Sequence, residues 1–209
     1  MRGGYYAAED SSQLVINLMF AEWSVELGQN DPVLEIPWRS DDGSKRFLDL
    51  KRQPELLLEI PEACTYKELA SFLDWANSPD SQLETAKCDV WSTSEMDTDD
   101  EVFGEAVKFS SYVDLIFPAV ARNSFPECER FVQTLARMLR QAPDLRSAAQ
   151  FIVRRCWDHR GGEKGSESFY ITFYLHGYGA DAREARKRWA IGLTLAQNAI
   201  KQYLHSAQL

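Results

Sequence analysis

Three helix-start signatures recur along the chain at nearly equal spacing, and each follows two runs of β-forming residues. They are Thr65-Tyr-Lys-Glu68, Ser124-Phe-Pro-Glu127 and Asp181-Ala-Arg-Glu184. In each, a capping oxygen comes first and a glutamate follows three residues later. The first can accept from the amides of the opening turn, and the second can reach back to the cap. The runs before them are 33–38 and 55–60, 88–93 and 111–117, and 150–157 and 168–176. Turn residues such as Asp41-Asp42-Gly43-Ser44 and Gly161-Gly162 fill connections. The pattern predicts an α+β fold: an antiparallel β-sheet with helices packed on one face, built from about three strand–strand–helix units at about 30–78, 86–142 and 148–206. No linker rich in Pro, Gly or Ser separates the units, so residues 1–209 are expected to form a single domain.

The helices are expected at about 66–76, 126–140 and 182–205. Each carries one apolar stripe, such as Phe131, Val132 and Leu135 in the second and Ala185, Trp189, Leu193 and Ile200 in the third. Residues 12–27 fit two patterns. Leu14 to Phe20 is apolar nearly all round, whereas Ala21, Trp23, Val25 and Leu27 alternate with polar residues, which favours a strand. Residues 1–11 read as a mobile end, and Asp97 to Glu101 as an exposed acidic connection.

Composition excludes several classes. With 44% apolar and 26% charged residues in 209, the chain is neither disordered nor a disulfide scaffold. Cys64, Cys88, Cys128 and Cys156 lack close-spaced mates, so they read as reduced cysteines, and no metal site is expected. No apolar run approaches a membrane span and no export signal is convincing, so a cytoplasmic protein with no membrane association is expected. Residues 1–118 carry 24 acids and 9 bases, whereas 119–209 carry 8 acids and 14 bases. Two halves of opposite sign that pack together and compensate explain this better than a nucleic-acid surface, which the overall charge of −9 opposes.

The nucleotide, hydrolase, zinc-protease and EF-hand motifs are absent, and no cofactor is expected. The better lead is alternation along the strands. If helices cover Val113, Leu115, Phe117, Ile171, Phe173 and Leu175, the other face takes Trp91, Tyr112, Asp114, Tyr170, Thr172, Tyr174 and His176. Such an aromatic face tipped with polar groups suits recognition. The segment Phe151 to Arg160 adds Arg154 and Asp158, and a partly buried arginine there needs a partner such as Asp89 or Asp114. The reading is therefore a non-enzymatic binding or regulatory protein, immunity-like in role. Its partner face comprises Trp91, Tyr112, Asp114, Arg154, Asp158, Tyr170, Tyr174 and His176, and it meets a protein partner, a second copy or a small ligand. The alternative is a small-molecule-binding protein or enzyme with a pocket near Arg154, Asp158 and His176.

Overall fold

The computed structural model describes residues 19–118, 124–142, 145–161 and 165–206. The expected mobile end at 1–11, and the apolar run up to residue 18, lie outside them. The fold is α+β. Six strands, β1 (Phe20–Glu26), β2 (Leu34–Ile36), β3 (Glu84–Thr93), β4 (Val107–Ile116), β5 (Ser147–Asp158) and β6 (Ser166–Gly179), form one sheet. The order is β1-β5-β6-β4-β3, with β2 following β1 along the same side of β5. The helices are α1 (Pro61–Thr65), α2 (Lys67–Ala76), α3 (Phe125–Leu139) and α4 (Ala182–Ser206). None of the described helices is long and apolar enough to cross a membrane.

The sheet is mixed, which corrects the expected antiparallel one. β3, β4, β6 and β5 pair antiparallel, but β1 and β2 both run parallel to β5. A second correction falls on the first repeat unit. Residues 55–60 do not form a strand: Pro54–Glu59 is a 3₁₀ helix. Pro54 sets a helical φ at its start and offers no amide to a strand ladder. Leu56 and Leu57 instead turn towards the core while Leu58 stays in solvent.

The helix-start signatures mark the right places by different means. Asp181 accepts from the Glu184 amide at 2.8 Å, and Glu184 reaches back to the Ala180 amide at 3.0 Å. Ser124 is the N-cap of α3 without a side-chain cap bond. Thr65 ends α1 and donates to the Pro61 carbonyl, so Tyr66 precedes α2 instead.

One core runs from Met19 to Leu204 and takes alternate residues of every long strand. Phe151, Val153, Ile171, Phe173, Leu175, Val113 and Leu115 face the helices. Trp189 of α4 is fully buried, and its indole N–H donates to Ser111 Oγ at 2.8 Å. Helix α4 lies directly on β6 because Gly177 and Gly179 carry no side chain. A Cβ on Gly177 would overlap the Ala185 carbonyl and the Trp189 amide, and one on Gly179 would meet the Ala185 amide. Gly177→Ala is therefore expected to cost about 3 kcal/mol or more, since backbone must move. Gly161→Ala, in open space, should cost less than about 1 kcal/mol. Urea unfolding of the two variants measures both.

Candidate functional site

The sheet face turned away from the helices is built in rows set by strand register. The first row reads Trp91, Ser110, His176, Ala148 and Phe20; the second reads Asp89, Tyr112, Tyr174, Gln150 and Glu22. Asp114, Thr172, Ile152 and Ser24 make the third, and Glu84, Ile116, Tyr170, Arg154 and Glu26 the fourth. The expected alternation thus places Trp91, Tyr112, Asp114, Tyr170, Tyr174 and His176 on one face.

The two ends of this face differ. At one end it is dry. Leu34, Ile36, Ala86, Ile116, Cys156 and Tyr170 form a second apolar cluster, joined by Trp38 and Phe47. The Trp38 indole donates to the Ala86 carbonyl at 2.8 Å, and Arg160 binds both Asp158 and Glu84. These contacts tie the β5 side of the sheet to the β3 side. Tyr170 is 6% exposed, so it is core here and not part of an accessible surface.

At the other end the aromatic rings keep part of their surface. Trp91, Tyr112, Tyr174 and His176 are all half-buried. Their rings follow one another with centroids 6.5 Å (Trp91 to Tyr112), 5.8 Å (Tyr112 to Tyr174) and 6.4 Å (Tyr174 to His176) apart. His176 Nδ1 is 2.8 Å from Ser110 Oγ. Beyond it, Phe103 stacks on Tyr178 at 3.9 Å, and the Tyr178 hydroxyl donates to Asp100 at 2.6 Å. Lys108 also bonds Asp100. Asp100 is therefore buried and paired, although the stretch 97–101 was expected to be an exposed connection; Asp97 and Asp99 do remain exposed. Burial works against the Asp100 charge, but the Lys108 and Tyr178 bonds outweigh it and hold its pKa below the usual range.

Between the two ends runs a polar relay across four strands. Glu26 accepts from Arg154 Nε at 2.7 Å, Arg154 donates to Thr172 Oγ1 at 2.8 Å, and Thr172 donates to Asp114 at 2.7 Å. The direct partner of Arg154 is Glu26, not the expected Asp89 or Asp114; Asp114 is reached only through Thr172. Asp114 is 4% exposed. Burial pushes its pKa up to about 6, while the Thr172 bond and the fields of Lys87 and Arg154 pull in the other direction. Burial also lowers the His176 pKa to about 4, helped by the Lys108 charge.

The pocket expected near Arg154, Asp158 and His176 is not formed. Asp158 lies ten residues along β5 from Ala148, which pairs with His176. That is about 33 Å of strand. Asp158 is taken up by Arg160, with bonds of 2.8 to 3.2 Å. Cys156 pairs with Ser168, far from His176, and burial pushes its thiol up to about 12. No nucleophile–base pair results from these groups. No group of three His, Cys, Asp or Glu residues among the described residues could hold a metal ion.

No family model, curated protein or solved structure matches this chain.

Asp114 and His176 load the same face with opposite pH dependence. The Asp114 carboxyl ionises at 3.8 when unfolded and about 6 when folded. The native state then holds the extra proton, and stability falls as pH rises through that window. His176 titrates at 6.5 unfolded and about 4 folded, so stability falls as pH drops through its window. Each limb is worth about 3 kcal/mol at 1.36 kcal/mol per unit, and in the wild type they largely cancel. Asp114→Asn should leave stability climbing from pH 4 to 6.5, and His176→Asn should leave it falling from pH 4 to 6. Urea unfolding across that range reads both slopes.

Proposed function

We propose that this is a non-enzymatic binding protein that meets a protein partner through the wet end of its outer sheet face, with Trp91, Tyr112, Tyr174 and His176 in contact. A regulatory, immunity-like role in the cytoplasm is the form of this reading that fits four free cysteines. The observation that carries it is the half-buried ring series crossing β3, β4 and β6. Tyrosine and tryptophan supply large contact area with few torsions to freeze, and they retain a polar tip for a partner's hydrogen bond.

Two features support a protein partner over a small ligand at this face. The rings come from neighbouring rows of a sheet, so the surface is broad. The groups in the neighbouring rows are also fixed: Arg154 is held by Glu26 and Thr172, and Asp114 by Thr172. A surface already rigid when free loses less entropy on docking. Tyr170 and Asp158, included in the expected partner face, are assigned no contact in this proposal, because the first is core and the second is paired with Arg160.

The test is native mass spectrometry and pull-down with the full chain purified from its own host, beside Trp91→Gln and the double variant Tyr112→Ser with Tyr174→Ser. The wild type is expected to retain one defined protein in fixed stoichiometry. Both variants should lose it, by at least about tenfold in affinity, with circular dichroism unchanged. Retention by both variants overturns the proposal. If the double variant unfolds, Trp91→Gln on the edge strand decides alone.

A further inference from the structure

A second site lies along the outer edge of β3, at a β-bulge. Thr85 pairs with Leu115 and Cys88 with Val113, so β3 advances three residues where β4 advances two. Ala86 and Lys87 together stand against Asp114. Bulges re-aim side chains, and this one opens a cavity of about 370 Å³ along the free edge of β3. That volume is in the range of small-molecule sites.

The cavity wall is apolar on one side and charged on the other. Trp38, Leu48, Leu50 and Ile60 supply apolar surface. Trp38 is fixed by its indole bond to the Ala86 carbonyl, and Lys87 Nζ sits 4.7 Å above its ring. The charged lining consists of Lys45, Arg46, Lys87, Glu59 and Glu62. Arg46 and Glu59 pair with each other at 3.6 Å. Lys45 and Lys87 have no carboxylate within ion-pair distance among the described residues, and they outnumber the remaining Glu62. Lys51, nearby in sequence, is spent on the carbonyls of Ser78, Ser81 and Leu83.

The turn that carries Lys45 is built before any ligand arrives. Asp42 accepts from Ser40 Oγ, the Ser44 amide and Ser44 Oγ, and Ser40 Oγ accepts from the Lys45 amide at 2.9 Å. The Phe47 amide donates to the Trp38 carbonyl at 2.8 Å and closes the base of the flap. An apolar slot lined by two lysines that have no carboxylate partner among the described residues, one of them over Trp38, suits a small monoanion carrying an apolar body. We propose that this cavity binds an aromatic or aliphatic monocarboxylate, with the carboxylate between Lys45 and Lys87 and the body against Trp38, Leu48 and Ile60. This site is separate from the aromatic face and does not depend on the proposed function.

The experiment is a ¹H–¹⁵N NMR titration of the full chain with 3-phenylpropionate, 3-phenylpropanol and 3-phenylpropylamine, three probes that share a body and differ in charge. The acid is expected to shift the amides of residues 45–48 and 85–88 and to bind about tenfold more tightly than the alcohol or the amine. Lys45→Met and Lys87→Met should each remove most of that preference while resonances elsewhere stay in place. If Lys87→Met disturbs the fold, Lys45→Met, on an exposed turn, still decides. Equal affinity for acid and amine overturns the proposal, as do shifts that map to other residues or no shifts at all.

Discussion

The contact on which the rest of the fold rests is the bare backbone meeting of α4 and β6. Two glycines, Gly177 and Gly179, let the helix touch the strand at Ala185 and Trp189. At that separation Trp189 can sink fully into the core and bond Ser111 of the neighbouring strand. Once helices own that side of the central strand, the two-residue period of β structure leaves no choice for the other side. Tyr170, Thr172, Tyr174, His176 and Tyr178 must all face outward. The outer face is therefore a consequence of core packing, and its aromatic content is what the chain has placed on a surface it could not hide behind a helix.

How far this was legible follows the range of the forces involved. Local signals read well: the apolar stripe of α3, the alternation of β4 and β6, and the cap at Asp181 all act within a few residues. The strand parity of 21–26 was also readable, since Glu22 and Glu26 do reach Gln150 and Arg154 on the outer face. The partner of that strand was not. β1 pairs with β5 across 128 residues, and nothing in either segment alone distinguishes a parallel neighbour from an antiparallel one. The run 55–60 misled for a different reason. Leucine suits either structure, and the decision lay with Pro54 and the tertiary contacts of Leu56 and Leu57.

Charge shows the same division. The opposite balance of the two halves anticipates compensation, and the ion pairs do bridge them: Arg154 to Glu26, Arg186 to Glu68, Arg188 and Arg146 to Glu105, and Arg160 to Glu84. The individual partners depend on register and so were out of reach. The bulge at Ala86 and Lys87 was equally hidden, because one extra residue in a strand leaves no mark in composition. Both the placement of Lys87 beside Trp38 and the cavity there depend on it. Asp100 is a sharper case. Within Asp97-Thr-Asp-Asp-Glu101 it has no distinguishing neighbour, yet it alone is buried, bonded by Lys108 and Tyr178, while Asp97 stays exposed with Lys108 4.0 Å away.

The outer face carries two ionisable groups, Asp114 buried and His176 half-buried, and burial acts on both by one rule. In each, burial shifts the balance towards the neutral form, although Asp114, with a pKa of about 6, still ionises at neutral pH. His176 is kept neutral by burial and the Lys108 charge, and Asp114 is pushed towards its acid form while Thr172 still offers it a hydrogen bond. An apolar residue in place of Asp114 would avoid the desolvation cost altogether. What Asp114 supplies instead is a fixed end to the relay from Glu26 through Arg154 and Thr172. That relay locks side chains on β1, β5, β6 and β4 into one arrangement in the rows next to the half-buried rings. Such a network fixes one register among the four strands, and on the proposed reading it also keeps Tyr112 and Tyr174 in a constant geometry.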